Sequence, residues 1–459
     1  MLFAPGLLGA CRTGLSSGVS IADDGWDRVP AILARIVPPK FPARDFAITS
    51  YGAKGDGVTD CTAAFAKAIG ACNAAGGGRV VVPAGGRFLT GAIHLRSNVN
   101  LHVQGGATIV FSTNPDAYLP AVFTRWEGME LMGLSPLIYA FEQENVAVTG
   151  NGTLDGQANA THWWPWKGLA DYGWKTGGPQ QVPARTKLMA MMEANAPVAE
   201  RVFAKDSFMR PQFIQPYRCR NVLIEDVTIV NSPMWEIHPV LSTNVTVRRV
   251  KIDTHGPNND GCDPESCRDV LIEECTFDTG DDCIAIKSGR NADGRRLKAP
   301  TENVIVRGCN MKDGHGGVTI GSEISGDVRW VFAEKNRMDS PNLERALRLK
   351  NNASRGGVLE HIYMRDCTVG QVSDSVVSVD FNYEEGARGA FRPVARDINV
   401  TRVTSRKSKY GLYLRGFPNA PIEGVHLTDC RFDNVASGNM LENVTGLTTD
   451  RVIMNGKPL

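Results

Sequence analysis

One short pattern returns along this chain: an Asn or Asp, followed by alternating apolar residues. Asn221 opens Val222-Leu223-Ile224 and leads to Val227 and Ile229. Asn244 opens Val245-Thr246-Val247, Asp269 opens Val270-Leu271-Ile272, and Asn303 opens Val304-Ile305-Val306. Asp397 and Gly424 open later copies, and Asn98 and Asn145 earlier ones. The closest-spaced copies lie about 23 to 25 residues apart, with longer gaps where loops intervene. A period of this size, carrying several short strands, predicts a solenoid in which each turn of chain is one coil. The fold class expected is therefore all-β, a right-handed parallel β-helix. Inward side chains should stack on the same position of the next coil, about 4.8 Å away.

Cysteine placement fits such stacking. Cys275, Cys309, Cys367 and Cys430 each fall six residues after the start of a repeat, a slot that Val227 and Val250 hold in earlier coils. A slot shared by Val and Cys reads as an inward apolar ladder of buried thiols. The total of 11 cysteines also argues against complete pairing. Before the coils, Asp60 can cap a helix over Cys61 to Ala71 whose face is Ala64, Phe65, Ala68 and Ile69. This helix would cover the open end of the solenoid. Gly76-Gly77-Gly78 stops it and Val80-Val81-Val82 begins the sheets.

Two regions depart from the rhythm. Residues 1–40 read as an N-terminal tail. Its start, ending in Leu8-Gly9-Ala10-Cys11, looks like the remnant of an export signal that lacks a positive n-region. A disordered tail is the plainer alternative. Residues 41–459 read as a single catalytic domain, interrupted at about 155–211 by an insertion rich in tryptophan (Trp163, Trp164, Trp166, Trp174). Such an insertion forms a lobe beside a groove, where its tryptophans either pack the lobe or stack on sugar rings. Lys plus Arg number 50 and Asp plus Glu 49, with no basic run, so nucleic acid is not an expected partner. No apolar stretch approaches the ~20 residues of a membrane span.

Coil arithmetic gathers the candidate chemistry. Asp260 and Asp282 are 22 residues apart, about one coil. Asp281 and His315 each lie 12 residues after their repeat starts, Asp269 and Asn303, so they share one phase on adjacent coils. Arg348 and Lys350 follow about one coil and a loop later. Three carboxylates placed together repel and raise one another's pKa values, which a purely structural protein has no reason to build. Glycoside hydrolysis does need them: one acid protonates the leaving oxygen and another deprotonates water. Two nearby cations suit a carboxylate on the sugar, hence a uronic acid.

The motifs Asn258-Asn259-Asp260, Gly280-Asp281-Asp282, Gly314-His315-Gly316 and Arg348-Leu349-Lys350, with Tyr383, occur in an order that resembles glycoside hydrolase family 28, the polygalacturonases. The likeness runs from about Phe46 to the C-terminus. It implies a pectin-lyase-like solenoid and inverting hydrolysis of α-1,4-galacturonosyl bonds in pectin. It further implies Asp281 as general acid, Asp260 and Asp282 as the water-activating pair, and His315 as a residue that tunes the acid or holds the sugar. Asn258, Arg348, Lys350 and Tyr383 are implied as contacts to galacturonate. Neither a metal nor an organic cofactor is implied. The loops near Asp260 and Asp281 and the Trp-rich lobe look more like the exo-acting branch than the endo-acting one. Asn259 stands where the family usually has Thr, and Met311 stands where the usual disulfide partner of Cys283 would be. An exported monomer acting on an acidic polysaccharide is the expectation. The rivals are a hydrolase of rhamnogalacturonan or decorated pectin, a calcium-dependent pectate lyase, and a β-helical adhesin.

Overall fold

The computed structural model describes residues 25–459, so the signal-like start lies outside the described residues. Strand order follows chain order with almost every pairing parallel, which is the parallel β-helix expected from the repeat. Among the described residues two long sheets of 14 strands run the length of the molecule. A third face begins with Ile93–His94, Ile138–Phe141 and Ile214–Tyr217 and ends with a six-stranded sheet from Ile284–Ile286 to Met440–Glu442. Single bridges at Ile237 and Cys262 join these two parts into one face.

The register of the first long sheet shows why the repeat exists. Val146, Val222, Val245, Val270, Val304, Val331, Ile362, Ile398 and Val425 lie in one row across neighbouring coils. All are buried. The residue before each row member turns the chain through a left-handed conformation: Asn221 has φ 58°, Asn244 56°, Asp269 58° and Asn303 60°. Asn and Asp tolerate that region better than other residues with a Cβ. Their amides also stack, with Asn145 donating to Asn98 at 2.8 Å, Asn221 to Asn145 at 2.8 Å and Asn244 to Asn221 at 2.7 Å. Trp330 (φ 59°) and His361 (φ 57°) occupy the same corner on two coils, their rings stacked 4.0 Å apart.

The Val/Cys ladder is inward, as expected, and the described cysteines are all free and buried. One rung holds a polar residue, Asn336. Its amide donates to the Val306 carbonyl at 3.1 Å and its oxygen accepts the Cys309 N–H at 2.9 Å. Asn336→Val should match the ladder by size but strand two buried backbone groups. The expected loss is about 1–3 kcal/mol, read as a lower urea midpoint. An unchanged midpoint would mean that the neighbouring coils close over the gap.

A helix covers the first coils of the solenoid, and a returning strand covers the last strand of the second long sheet. The capping helix spans Thr62–Ala74 and buries Ala64, Phe65, Ala68 and Ile69. Cys61 is its N-cap position, and Asp60, one residue earlier, accepts the Thr62 N–H at 2.8 Å. At the far end, Lys457–Pro458 folds back antiparallel on Ile453–Met454. Residues 25–40, assigned above to the tail, are packed on the first sheet. Trp26, Val29, Ile32 and Ile36 cluster with Leu271, Ile305, Phe332 and Tyr363, and Arg35 pairs with Asp269 at 2.7 Å. Among the described residues no helix is long and apolar enough to cross a membrane.

The insertion forms the expected lobe. It contains the helix Val182–Glu193 and packs with the hairpin Val122–Trp126 and Met129–Gly133. Its tryptophans serve packing: Trp163 is buried edge-on against Tyr118 and Trp166, Trp166 meets Phe208, and Trp164 donates to Ser232 O at 2.9 Å. The loop from Lys287 to Thr301 holds a short helix, Asn291–Leu297, pinned to the lobe through the Arg201–Asp293 ion pair at 2.7 Å.

Candidate active site

The third face carries the site. Its inward row runs Ile237, Cys262, Ile284, Val318, Leu347 and Val377, one residue per coil. Asp260 precedes the row on one coil, Asp281 and Asp282 on the next, and His315 on the one after. Arg348 and Lys350 lie in the strand Arg345–Lys350, and Tyr383 follows Ser375–Asp380. The coil arithmetic therefore places these residues side by side, as expected. Carboxylate oxygens of Asp260, Asp281 and Asp282 lie within 4.8 Å of one another.

Each acid has a different environment. Asp282 is buried, and its oxygens are held by Lys350 Nζ at 2.7 Å, Arg348 Nη1 at 3.1 Å and Thr319 Oγ1 at 2.9 Å. Burial disfavours its charge, but Lys350 and Arg348 outweigh burial and hold it well below the usual carboxylate range. Gly316 makes this approach possible, since a Cβ there would stand 2.2 Å from Thr319 Oγ1 and 2.9 Å from Asp282 Oδ1. Asp281 accepts from or donates to His315 Nδ1 at 2.9 Å. Burial opposes ionisation of Asp281, yet the His315 bond and charge lower its pKa. His315 is in turn pushed up to about 9 by that bond. At neutral pH the pair thus carries one proton, which these shifts place on His315. Asp260 is the opposite case: burial, then the negative charge of Asp281, push it well above the usual range.

A pocket of about 500 Å³ opens over these groups, lined by Asp260, Asp281, Lys350, Tyr383 and Asn258 from the expected set. Asn258 accepts from Lys167 Nζ at 2.7 Å and Arg210 Nη2 at 2.9 Å, which orients its amide. Asn259 is scaffolding: its oxygen accepts from Thr254 and Gly256 and its amide donates to Ser232 and Met234. Those four bonds explain how Asn can replace Thr beside Asp260. Tyr383 faces the two cations, 5.1 Å from Lys350 and 5.6 Å from Arg348.

Several lining residues were not anticipated: Lys287, Glu323, Arg290, Glu127 and Trp235. Lys287 sits in the outward row two coils before Lys350, so its phase was readable, but nothing in its residue type marked it. Glu127 and Gly128 form the two-residue turn of the lobe hairpin, with φ 45° and 81°. A Cβ on Gly128 would meet Arg290 N at 2.7 Å, so only glycine lets the tip seat there. Arg290 binds Glu323 at 2.6 Å and the Glu127 carbonyl at 3.0 Å. Behind the tip, outward side chains of the preceding coils are buried in a closed network. Thr124 bonds Gln215, Gln215 meets His238 at 3.0 Å, and His238 meets Glu265 at 2.8 Å. The hairpin and lobe therefore seal the N-terminal side of the pocket, while coils on the C-terminal side present half-exposed Tyr413 and Arg415.

The close carboxylates have a spacing that a cation could span, but Lys350 and Arg348 already fill Asp282, and Lys287 faces Asp260 at 3.6 Å. Side chains supply the positive charge. A family model described as glycosyl hydrolases family 28 matches residues 200–451, more than half of the chain. The chain belongs to glycosyl hydrolase family 28. A second model, described as rhamnogalacturonase A/epimerase, pectate lyase-like, matches residues 46–117. Among family 28 relatives, an exo-poly-alpha-D-galacturonosidase of Dickeya chrysanthemi is 30% identical over 74% of this chain and 57% of its own length. A Vitis vinifera protein named "Probable polygalacturonase" is 28% identical over 84% of this chain and 74% of its own. The crystal structure of a hyperthermoactive exopolygalacturonase from Thermotoga maritima superposes with a TM-score of 0.92 at 47% identity, covering 95% of this chain and 97% of that one.

Proposed function

We propose that this family 28 hydrolase cleaves the α-1,4-galacturonosyl bonds of polygalacturonate from a chain end, with inversion. The observation that carries the reading is the sealed pocket, with carboxylates and cations at its floor and one open side. A polymer entering from the open side stops at the Glu127-Gly128 tip, so only a terminal portion crosses the carboxylates. The likeness to two exo-acting relatives supports the same conclusion. Asp281, passing on the proton that His315 brings to their hydrogen bond, is the acid that protonates the leaving oxygen. Asp260 and Asp282 hold the attacking water. Arg348, Lys350 and Tyr383 bind a galacturonate carboxylate, and Asn258 binds the sugar. As that carboxylate takes up Arg348 and Lys350, Asp282 shares its cations and becomes a stronger base.

The acid and base of inverting pairs are usually ~6.5–9.5 Å apart. Here two acids flank the water on one side, so the distance between nearest oxygens is not the distance across the sugar. The anomer decides. Polygalacturonate and short galacturonate oligomers should release reducing ends without ultraviolet gain and without loss on adding EDTA. Monomer or dimer alone should form from the start, and proton NMR should show the β-anomer first. No turnover of any galacturonan would sink the reading, and an α-anomer would sink inversion.

The same reading takes residues 41–459 as one catalytic domain, active as a monomer outside the cytoplasm where its polymer lies. Light scattering and cell fractionation test these two points.

A further inference from the structure

Beneath the pocket floor lies a second group of acids. Among the described residues, Glu236 Oε1 and Oε2, Asp263 Oδ1 and Oδ2, and Asp260 Oδ1 are buried without a hydrogen-bond partner. Five carboxyl oxygens buried without a protein partner are costly unless protons or a cation offset them. Lys287 is the cation placed to do so. Its Nζ lies 3.6 Å from Asp260 Oδ2, 3.8 Å from Asp263 Oδ1 and 3.4 Å from Glu323 Oε2. It also stands 4.3 Å over the Trp235 ring and 3.5 Å from the Gly321 carbonyl.

These distances are alike and none is short. Lys287 is held among several acceptors and committed to no single one, so a small shift moves it from Glu323 toward Asp260. Its backbone is fixed, since its N–H donates to Pro264 O at 2.9 Å and its carbonyl accepts from Ser266 N–H at 3.0 Å. Only the side chain can move. Glu323 also has a partner in Arg290 at 2.6 Å, so its charge is offset by two cations and not by Lys287 alone.

We infer that Lys287 is a positioning residue acting through Asp260: it supplies the positive charge against which Asp260 and Asp263 share a single proton while water is activated. This rests on the hydrolytic reading above. In that reaction the water O–H bond breaks and its proton goes to the Asp260–Asp282 pair. The water oxygen bonds the anomeric carbon, and the leaving oxygen takes the proton from Asp281. With one proton between Asp260 and Asp263, Lys287 leaves that half of the site neutral. With Lys287 removed, either both acids are protonated and one base is lost, or an unpaired charge stays buried.

The groups that face Lys287 are known from each packed element. Glu236 and Trp235 lie two coils before, Asp260 and Asp263 on the coil before, Asp282 on its own coil and Glu323 on the next. Burial, then Asp260, pushes both Glu236 and Asp263 well above the usual range, with Asp263 adding to the effect on Glu236. Lys287 works the other way on Asp260 and Asp263.

The experiment compares wild type, Lys287→Met and Lys287→Arg on short galacturonate oligomers across pH. Losing the charge raises the pKa of Asp260, so the acidic limb of kcat/KM should move to higher pH by about one unit or more. KM should change less than about threefold and Lys287→Arg should restore the limb. A raised KM with an unmoved limb would make Lys287 a plain substrate-binding cation and overturn the inference. Equal limb shifts in Met and Arg variants would assign the effect to packing and also overturn it. If Lys287→Met does not fold, Lys287→Gln gives the same reading, because it keeps a donor without charge. A wild type inactive on galacturonan defeats the functional reading itself, whereas an active wild type with an unmoved limb defeats only this inference.

Discussion

Asp281→Asn is expected to lower kcat on galacturonan by at least about a thousand-fold while leaving the fold intact. The leaving group is a sugar alkoxide, which departs poorly without a proton. Asp281 is the carboxylate bonded to half-exposed His315, and Asn can keep a hydrogen bond at 2.9 Å but cannot deliver the proton. The fold should survive because Asn is isosteric and relieves repulsion between Asp281 and its two acidic neighbours. The change has a second signature. His315, at about 9 in the wild type because of Asp281, should titrate closer to about 6.5 in the variant. An NMR titration of the imidazole reads this directly. A variant within tenfold of wild-type rate would remove Asp281 from the acid role.

Lys350→Met should cost both activity and stability. Asp282 is completely buried and Lys350 is its shortest ion-pair partner at 2.7 Å. Removing one member of a buried pair usually costs about 3–5 kcal/mol, because the other charge is left behind. Arg348 remains 3.1 Å away, so the lower end of that range is expected. The pH dependence follows from the direction of the Asp282 shift. Its folded pKa is depressed, so its stabilising contribution is present above the ordinary carboxylate range and is lost as pH falls through the folded value. In Lys350→Met the folded pKa rises, and acid then protonates Asp282 and relieves the penalty. Urea midpoints of the two proteins should differ most near neutrality and converge only as pH falls below the ordinary carboxylate range. A difference independent of pH would mean that the loss comes from packing of the lysine stem. Activity should fall at least about a hundred-fold, since the substrate carboxylate loses a cation that also tunes the base.

Much of this architecture was readable because a solenoid converts sequence spacing into spatial adjacency. Asp260 and Asp282, or Asp281 and His315, are neighbours because they share a phase. The reading failed where a position had lost its residue type. Trp330 and His361 fill the corner that Asn and Asp hold elsewhere, so the Trp330 coil went unrecognised and the His361 coil showed only through Cys367, although the backbone is the same. Asn336 was hidden in the Val/Cys ladder for the same reason. The docked segment after Gly25 had a signal that was overlooked. Leu271, Ile305, Phe332 and Tyr363 are apolar on the outward side of the first sheet, and an outward apolar row needs a cover. Lys287 and Glu323 could not be singled out, because their role depends on loops whose paths the repeat does not determine. The tryptophans of the lobe showed a crowd but not its direction: Trp163 turned inward, while Trp164, Trp166 and Trp174 are half-buried.

The covered ends have a consequence of their own. A stack of parallel coils finishes in a row of unpaired backbone donors and acceptors, which is a template on which another molecule could continue the stack. Here the first edge lies under the helix Thr62–Ala74, and the last strand of the second long sheet meets the returning strand Lys457–Pro458. Proline has no N–H to offer a further strand. The geometry that lets the coils repeat is thus blocked at the first coil and, among the described residues, on the second long sheet at the last, which removes part of the template on which a fibre would grow.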